Sequence, residues 1–134
     1  MNYNMLIARL YFLLVDADGD VNEKEVAIAS QMVKEEGLNA EEFDVQLRIL
    51  KTKDREAVFA ESMIGLKQLS IRQQVRIVAW MCVIANADGF MDRGEWQLIY
   101  KIYHKELNLP LHEIFAVQKE LNRKKWEKQS VIGL

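Results

Sequence analysis

The chain has 134 residues, a formal net charge of -2, one cysteine and one proline, and half of its residues are apolar. This composition predicts one domain with its own core and excludes both an intrinsically disordered chain and a disulfide framework. The slightly acidic balance is unlike that of nucleic-acid-binding domains, so we expect no nucleic-acid partner. The apolar run 10–15 is too short to cross a bilayer. We therefore expect a cytoplasmic protein without a signal peptide or membrane span.

Apolar residues recur at helical spacing along the chain, which predicts an all-α fold of about seven helices. Buried stripes are indicated by Phe43, Leu47 and Leu50, by Phe59, Met63 and Leu66, by Ile71, Val75, Val78, Cys82 and Ala85, and by Leu111, Ile114, Val117 and Leu121. Helix starts are indicated by Asn39 with Glu42, by Thr52, by Ser70 with Gln73, and by Pro110.

An internal repeat organises these helices. Residues 13–25 (LLVDADGDVNEKE) align without a gap with residues 83–95 (VIANADGFMDRGE), at an offset of 70. The pattern predicts two helix-turn-helix units, at approximately 5–50 and 71–125, within a single domain spanning 1–134. Because neither unit could bury its apolar faces alone, we expect them to pack as a pseudo-twofold bundle.

Local helix chemistry explains most of the repeated turn. Gly19 and Gly89 suit the left-handed conformation that follows a helix, and the next helix in each copy begins with a capping pair. These pairs are Asn22 with Glu25, and Asp92 with Glu95. The acids that precede the glycines, Asp18 and Asp88, are not explained in this way, because the helix dipole disfavours an acid at a helix C-terminus.

A second interpretation compares each turn with a twelve-residue calcium loop, which has oxygen ligands at positions 1, 3, 5 and 12 and glycine at position 6. Asp16, Asp18 and Glu25 fit positions 3, 5 and 12, but position 1 is Leu14 in the first copy and Ile84 in the second. We therefore expect either a purely structural turn or a weak, shared site for calcium or another divalent cation. The candidate ligands are Asp16, Asp18, Glu25, Asp88, Asp92 and Glu95.

The paired Ala-Asp-Gly turns at 17–19 and 87–89, each with a glutamate six residues after its glycine, resemble the TerB-like family, which is named for bacterial tellurite resistance. The resemblance covers nearly the whole chain. It implies a compact helical cytoplasmic domain that is not an enzyme, is linked to stress response, and binds metal or proteins through charged surfaces. The family's acids correspond to Asp18, Glu25, Asp88 and Glu95. Phe90 departs from the pattern, since the first copy has Asp20 there.

Charge is distributed unevenly along the chain. Residues 16–44 carry ten acids and two bases, whereas residues 48–76 carry seven bases and three acids. A basic cluster near the C-terminus consists of Arg123, Lys124, Lys125 and Trp126. Such a cluster suits an acidic protein partner or peripheral contact with an anionic membrane, although it is also typical of an ordinary solvated helix end.

Taken together, these patterns predict a non-enzymatic binding module with protein partners at its charged surfaces and a divalent-cation site at the Asp-Gly turns. The alternative is a purely structural interaction domain with no bound ion. Cys82 is interpreted as a core residue, and His104 and His112 as surface residues without a zinc site. The sequence leaves the oligomeric state open.

Overall fold

The computed structural model describes residues 2–18, 23–87, 89 and 91–132, without the side chains of Asp18 and of residues 124–132. Within this part of the chain there are seven α-helices and no strand, which confirms the all-α prediction. The helices are α1 (Tyr3–Asp18), α2 (Glu23–Glu35), α3 (Ala40–Leu50), α4 (Arg55–Lys67), α5 (Ile71–Ala85), α6 (Arg93–Tyr100) and α7 (Leu111–Ile132). A π-helical segment (Lys101–Glu106) continues α6. No helix in the described residues is both long and apolar enough to cross a membrane.

Of the predicted helix starts, those at Asn39 and Ser70 are confirmed, α7 begins directly after Pro110, and the start at Thr52 is wrong. Asn39 caps α3, and Ser70 forms a full capping box with Gln73 at the start of α5. Thr52 does not cap α4, because its hydroxyl donates to the Ile49 carbonyl of the preceding turn. Asp54 caps α4 instead. The helix therefore starts two residues later than predicted, after a turn that closes α3.

Helix α5 lies at the centre of the fold and contacts α1, α2, α6 and α7. All but one of its residues from Gln74 to Ala85 are buried, and Arg76 is the exception. The predicted stripe on α5 is correct except at its first member, because Ile71 is largely exposed at the helix start. The stripe on α7 faces α5, with Ile114 and Leu121 fully buried.

Burial follows the internal repeat position by position. Both members are buried in each of the pairs Leu14 and Ile84, Glu25 and Glu95, Ile28 and Leu98, Met32 and Ile102, and Val33 and Tyr103. Helix contacts are also reciprocal, since α1 packs against α6 and its counterpart α5 packs against α2. A twofold arrangement would produce such reciprocal contacts, but the twofold relation itself stays a prediction.

Polar side chains fasten the start of α1 to the rest of the fold. Arg76 on α5 donates to both carboxylate oxygens of Glu36, with Nε 2.8 Å from Oε1 and Nη2 3.0 Å from Oε2. Burial, together with the charge and hydrogen bond of Glu36, raises the pKa of Tyr3 to about 12. The Glu42 amide donates to Asn39 as predicted, whereas the Glu42 carboxylate accepts from Asn4 at 2.9 Å and so joins α3 to α1.

Candidate functional site

The second Asp-Gly turn has much of the predicted geometry. Gly89 has a φ of +87°, in the left-handed region, and its amide donates to the Asn86 carbonyl at 2.9 Å. Asp92 caps α6 by accepting from the Glu95 amide at 2.9 Å, and the Glu95 carboxylate accepts from the Asp92 amide at 3.3 Å. The predicted capping box is therefore confirmed in this copy. Asp88, Gly19 and Asn22 lie outside the described residues.

The end of α1 lies directly against the start of α6. A Cβ atom placed on Gly94 would lie only 2.6 Å from the Ala17 carbonyl oxygen and 3.2 Å from Oδ1 of Asp92. Only glycine permits so close an approach of the two backbones. The junction therefore brings the last turn of α1, which includes Asp16 and Asp18, next to the capping box that opens α6.

The described acids at this junction already have protein partners. Asp16 forms an ion pair with Arg55 at the start of α4, with Oδ2 2.7 Å from Nε, and both side chains are about half exposed. Glu25 and Glu95 are only 3% and 2% exposed, and each makes interactions within the fold. Burial and the nearby charge of Glu25 raise the pKa of Tyr11, which places this carboxylate close to α1.

These partners limit how a cation could bind. Within the described residues, no three acidic, histidine or cysteine side chains are close enough together to hold a metal ion. The predicted ligands that are described, namely Asp16, Glu25, Asp92 and Glu95, therefore do not form a site by themselves. A site would also need Asp18 and Asp88, whose side chains lie outside the description.

A cleft of about 580 Å³ opens beside the junction, between α1, α4 and α6. Its walls are formed by Ala17, Arg55, Glu56, Phe59, Gly94, Gln97, Leu98 and Lys101. The Lys101 ammonium lies 4.3 Å from the centre of the Phe59 ring, a cation–π contact that joins the π-helical segment to α4. Sequence reasoning missed this cleft, because its residues come from distant parts of the chain and share no motif.

The sequence matches the family described as tellurite resistance protein TerB over residues 4–119. The chain belongs to the TerB family. The match covers all seven helices except the distal part of α7, and it confirms the resemblance carried by the two Ala-Asp-Gly turns. No curated protein and no solved structure matches this TerB chain.

The remaining predicted residues of this TerB chain lie elsewhere. In the C-terminal basic cluster, Arg123 pairs with Glu120 at 2.9 Å on the exposed side of α7, whereas Lys124, Lys125 and Trp126 lie outside the described side chains. Cys82 is a core residue as predicted, and its burial raises the thiol pKa to about 12. His104 and His112 are exposed, as predicted.

Proposed function

We propose that this TerB chain is a non-enzymatic binding module of a bacterial stress response, which recruits protein partners through its charged surfaces. In this proposal the two Asp-Gly turns together hold one divalent cation weakly. The description of the family as tellurite resistance proteins supports the stress-response assignment.

The junction of α1 and α6 is the observation that carries the cation site. The contact between Gly94 and Ala17 brings acids from both copies of the repeat to one place, with Asp16 and Asp18 on one side and Asp92 on the other. Oxygen ligands from two incomplete loops are what a hard cation needs when neither loop supplies a full set. Binding is weak because Asp16 must first leave Arg55.

A second candidate function, docking of a protein without any ion, is favoured by a different observation. Asp16 is already neutralised by Arg55, and Asp92 and Glu95 are engaged in the capping box of α6. These bonds hold the junction together without an ion. The acidic surface around it is then available to a basic partner.

Thermal unfolding of the metal-stripped chain distinguishes the two. Calcium, magnesium, manganese and zinc are titrated against the wild type, Asp18→Asn, Asp88→Asn and Glu41→Gln, the last being an exposed acid on α3 away from the junction. A cation at one hundred times its dissociation constant stabilises the fold by about 2.7 kcal/mol if it binds only the folded state. The cation proposal predicts a saturable shift that Asp18→Asn and Asp88→Asn abolish and Glu41→Gln retains.

Arg55→Gln tests whether the ion pair with Asp16 competes with cation binding. Because Arg55 competes with the cation for Asp16, this variant is expected to bind the cation more tightly than the wild type. If no cation changes the unfolding temperature of any variant, the cation site is rejected and ion-free docking remains. Binding of a partner that is unaffected by a chelator would then support ion-free docking.

A further inference from the structure

The outer side of α6 and of the π-helical segment is both aromatic and basic. Trp96, Tyr100 and His104 follow one another at steps of four, and the rings of Tyr100 and His104 stack with centroids 4.9 Å apart. Tyr103 lies behind them, 6.1 Å from Trp96. Trp96 is 39% exposed, so its ring presents apolar surface to solvent.

Three cations flank these rings. Arg93, Lys101 and Lys105 are exposed, and within the described residues none of them forms an ion pair. The two acids of the same segment do not offset them, because Glu95 is buried and Glu106 pairs with Lys67 at 3.3 Å. We call this surface the α6 face, and define it by Arg93, Trp96, Tyr100, Lys101, His104 and Lys105.

The equivalent surface of the first unit has fewer cations and smaller side chains. At the offset of 70, His104 corresponds to Lys34, Arg93 to Glu23, Trp96 to Val26 and Tyr100 to Ser30. These small residues open a groove of about 260 Å³ between α2 and α3. Its volume is below the roughly 300–1,000 Å³ of small-molecule sites and suits one inserted side chain better than a whole ligand. We call this surface the α2–α3 face, and define it by Glu23, Val26, Ser30, Phe43, Asp44 and Leu47.

We propose that the α6 face of one copy of this chain docks on the α2–α3 face of a second copy. The groove walls include Val26, Phe43 and Leu47, and an exposed tryptophan is the side chain that an apolar groove of this kind accommodates best. The exposed carboxylates of Glu23 and Asp44 form no ion pair in the described residues and meet Arg93 and Lys105 of the α6 face. These two acids outnumber Lys34, the cation that also lines the groove. The contact is heterologous, since two different surfaces of the same chain meet.

This association names one partner for the charged surfaces in the proposed function, and rests on that part of it alone. It does not involve the Asp-Gly turns or the basic cluster at the end of α7. Its failure would therefore leave the cation titration and the recruitment of other proteins untouched.

Sedimentation equilibrium of the full chain over a range of concentrations tests the proposal. The average mass of the wild type should rise above the 15.6 kDa of one chain, and the association should weaken between about 0.05 M and about 0.5 M NaCl because the contact is electrostatic in part. Trp96→Ala should weaken it about 30-fold, the usual effect of truncating a central aromatic residue. Arg93→Glu should also weaken it, and this exposed change does not endanger folding.

A mixing experiment gives the decisive result. Trp96→Ala blocks the α6 face and Val26→Arg blocks the α2–α3 face, so each variant alone should remain a monomer. An equimolar mixture should form a dimer of one chain of each kind, because each variant keeps the surface that the other lacks. Phe115→Ala and Ile64→Arg, which change exposed apolar residues on α7 and α4, should associate like the wild type.

Two outcomes would overturn the proposal. One is a wild type that stays monomeric at all concentrations, in which case binding of an acidic peptide to the α6 face becomes the alternative to measure. The other is a mixture that associates no better than its two components, which would show that these two faces do not meet.

Discussion

The two helix-turn-helix units bury side chains at the same repeat positions but differ in charge at exposed positions. Ile28 and its counterpart Leu98 are both buried, whereas Glu23 and its counterpart Arg93 are exposed and opposite in charge. A buried side chain is constrained because it must fit the close-packed core that both units share. An exposed side chain has no such constraint. The docking that we propose uses these outer positions, where the copies diverge.

The first helices of the units also differ in one buried position. Arg9 on α1 is 4% exposed, while its counterpart on α5 is Ala79. The guanidinium of Arg9 pairs with Glu61 on α4. The first unit thus depends on a charge pair, and the second has only apolar packing at the same place.

The largest effect is expected from breaking that pair. Glu61→Ala leaves the buried cation of Arg9 without its carboxylate, and because the Glu61 side chain is 49% exposed we expect a loss of about 2–3 kcal/mol in the free energy of unfolding, less than for a pair buried on both sides. Glu56→Ala, which removes an exposed acid from the same helix, should change stability by less than about 0.5 kcal/mol. Urea denaturation measures both. Similar losses in the two variants would mean that Arg9 does not depend on Glu61.

The next largest loss of stability is expected at the junction of α1 and α6, on which the cation proposal rests. Gly94→Ala places a methyl group against the Ala17 carbonyl and against the cap of α6, so we expect a loss of about 1–3 kcal/mol, as for other overpacked sites. At the equivalent position of the first unit, Lys24 is exposed, and Lys24→Ala should be nearly neutral. Urea denaturation of both variants checks the difference. If Gly94→Ala stabilises the protein, as alanine does in an unconstrained helix, the close approach is wrong.

Periodicity and capping chemistry were sufficient to predict the helices, because both act within a few residues. The stripes ending at Leu50, Leu66 and Ala85 are buried apart from the exposed Ile71 and the partly buried Leu47 and Phe59, and the Ser70 and Asp92 capping boxes are present. The error at Thr52 has a local cause. The Thr52 hydroxyl donates to a carbonyl of the preceding turn and does not cap a helix. Asp54, two residues later, caps α4 instead.

The surroundings of the candidate site could not be predicted in the same way. The pairing of Asp16 with Arg55 joins residues 39 positions apart, and nothing in the Asp-Gly motif indicates it. The aromatic rings of the α6 face were visible only as separate residues. The rings of Tyr100 and His104 stack where α6 passes into the π-helical segment, in which Leu107 donates to the Ile102 carbonyl five residues earlier. No local pattern in the sequence marks such a segment.

The two units also differ in a group that ionises at high pH, because Cys82 has the apolar counterpart Phe12. Burial raises the pKa of the Cys82 thiol from 9.0 to about 12 in the folded chain. Because the folded pKa is the higher one, this stabilisation is complete below the pKa of the unfolded thiol and is lost as the pH rises towards 12. Between pH 8 and 10 we expect the wild type to lose about 1 kcal/mol through this group.

Urea denaturation at the two pH values measures this loss. Cys82→Ala should remove this part of the pH dependence and keep the smaller part due to the tyrosines whose pKa burial also raises, namely Tyr3, Tyr11 and Tyr103. A wild type and a Cys82→Ala variant with the same pH dependence would show that the thiol titrates normally in the folded chain.

The smallest effect tests how far the two units are alike at their helix starts. Asp92→Ala removes the cap of α6 and should cost about 1 kcal/mol of unfolding free energy. If Asn22 caps α2 as the repeat predicts, Asn22→Ala should cost about the same, and Ser70→Ala at the capping box of α5 provides the matched reference. Thermal unfolding of the three variants is sufficient. A neutral Asn22→Ala would show that Asn22 does not hold the first turn, and the proposed cation would then be the next interaction to test there.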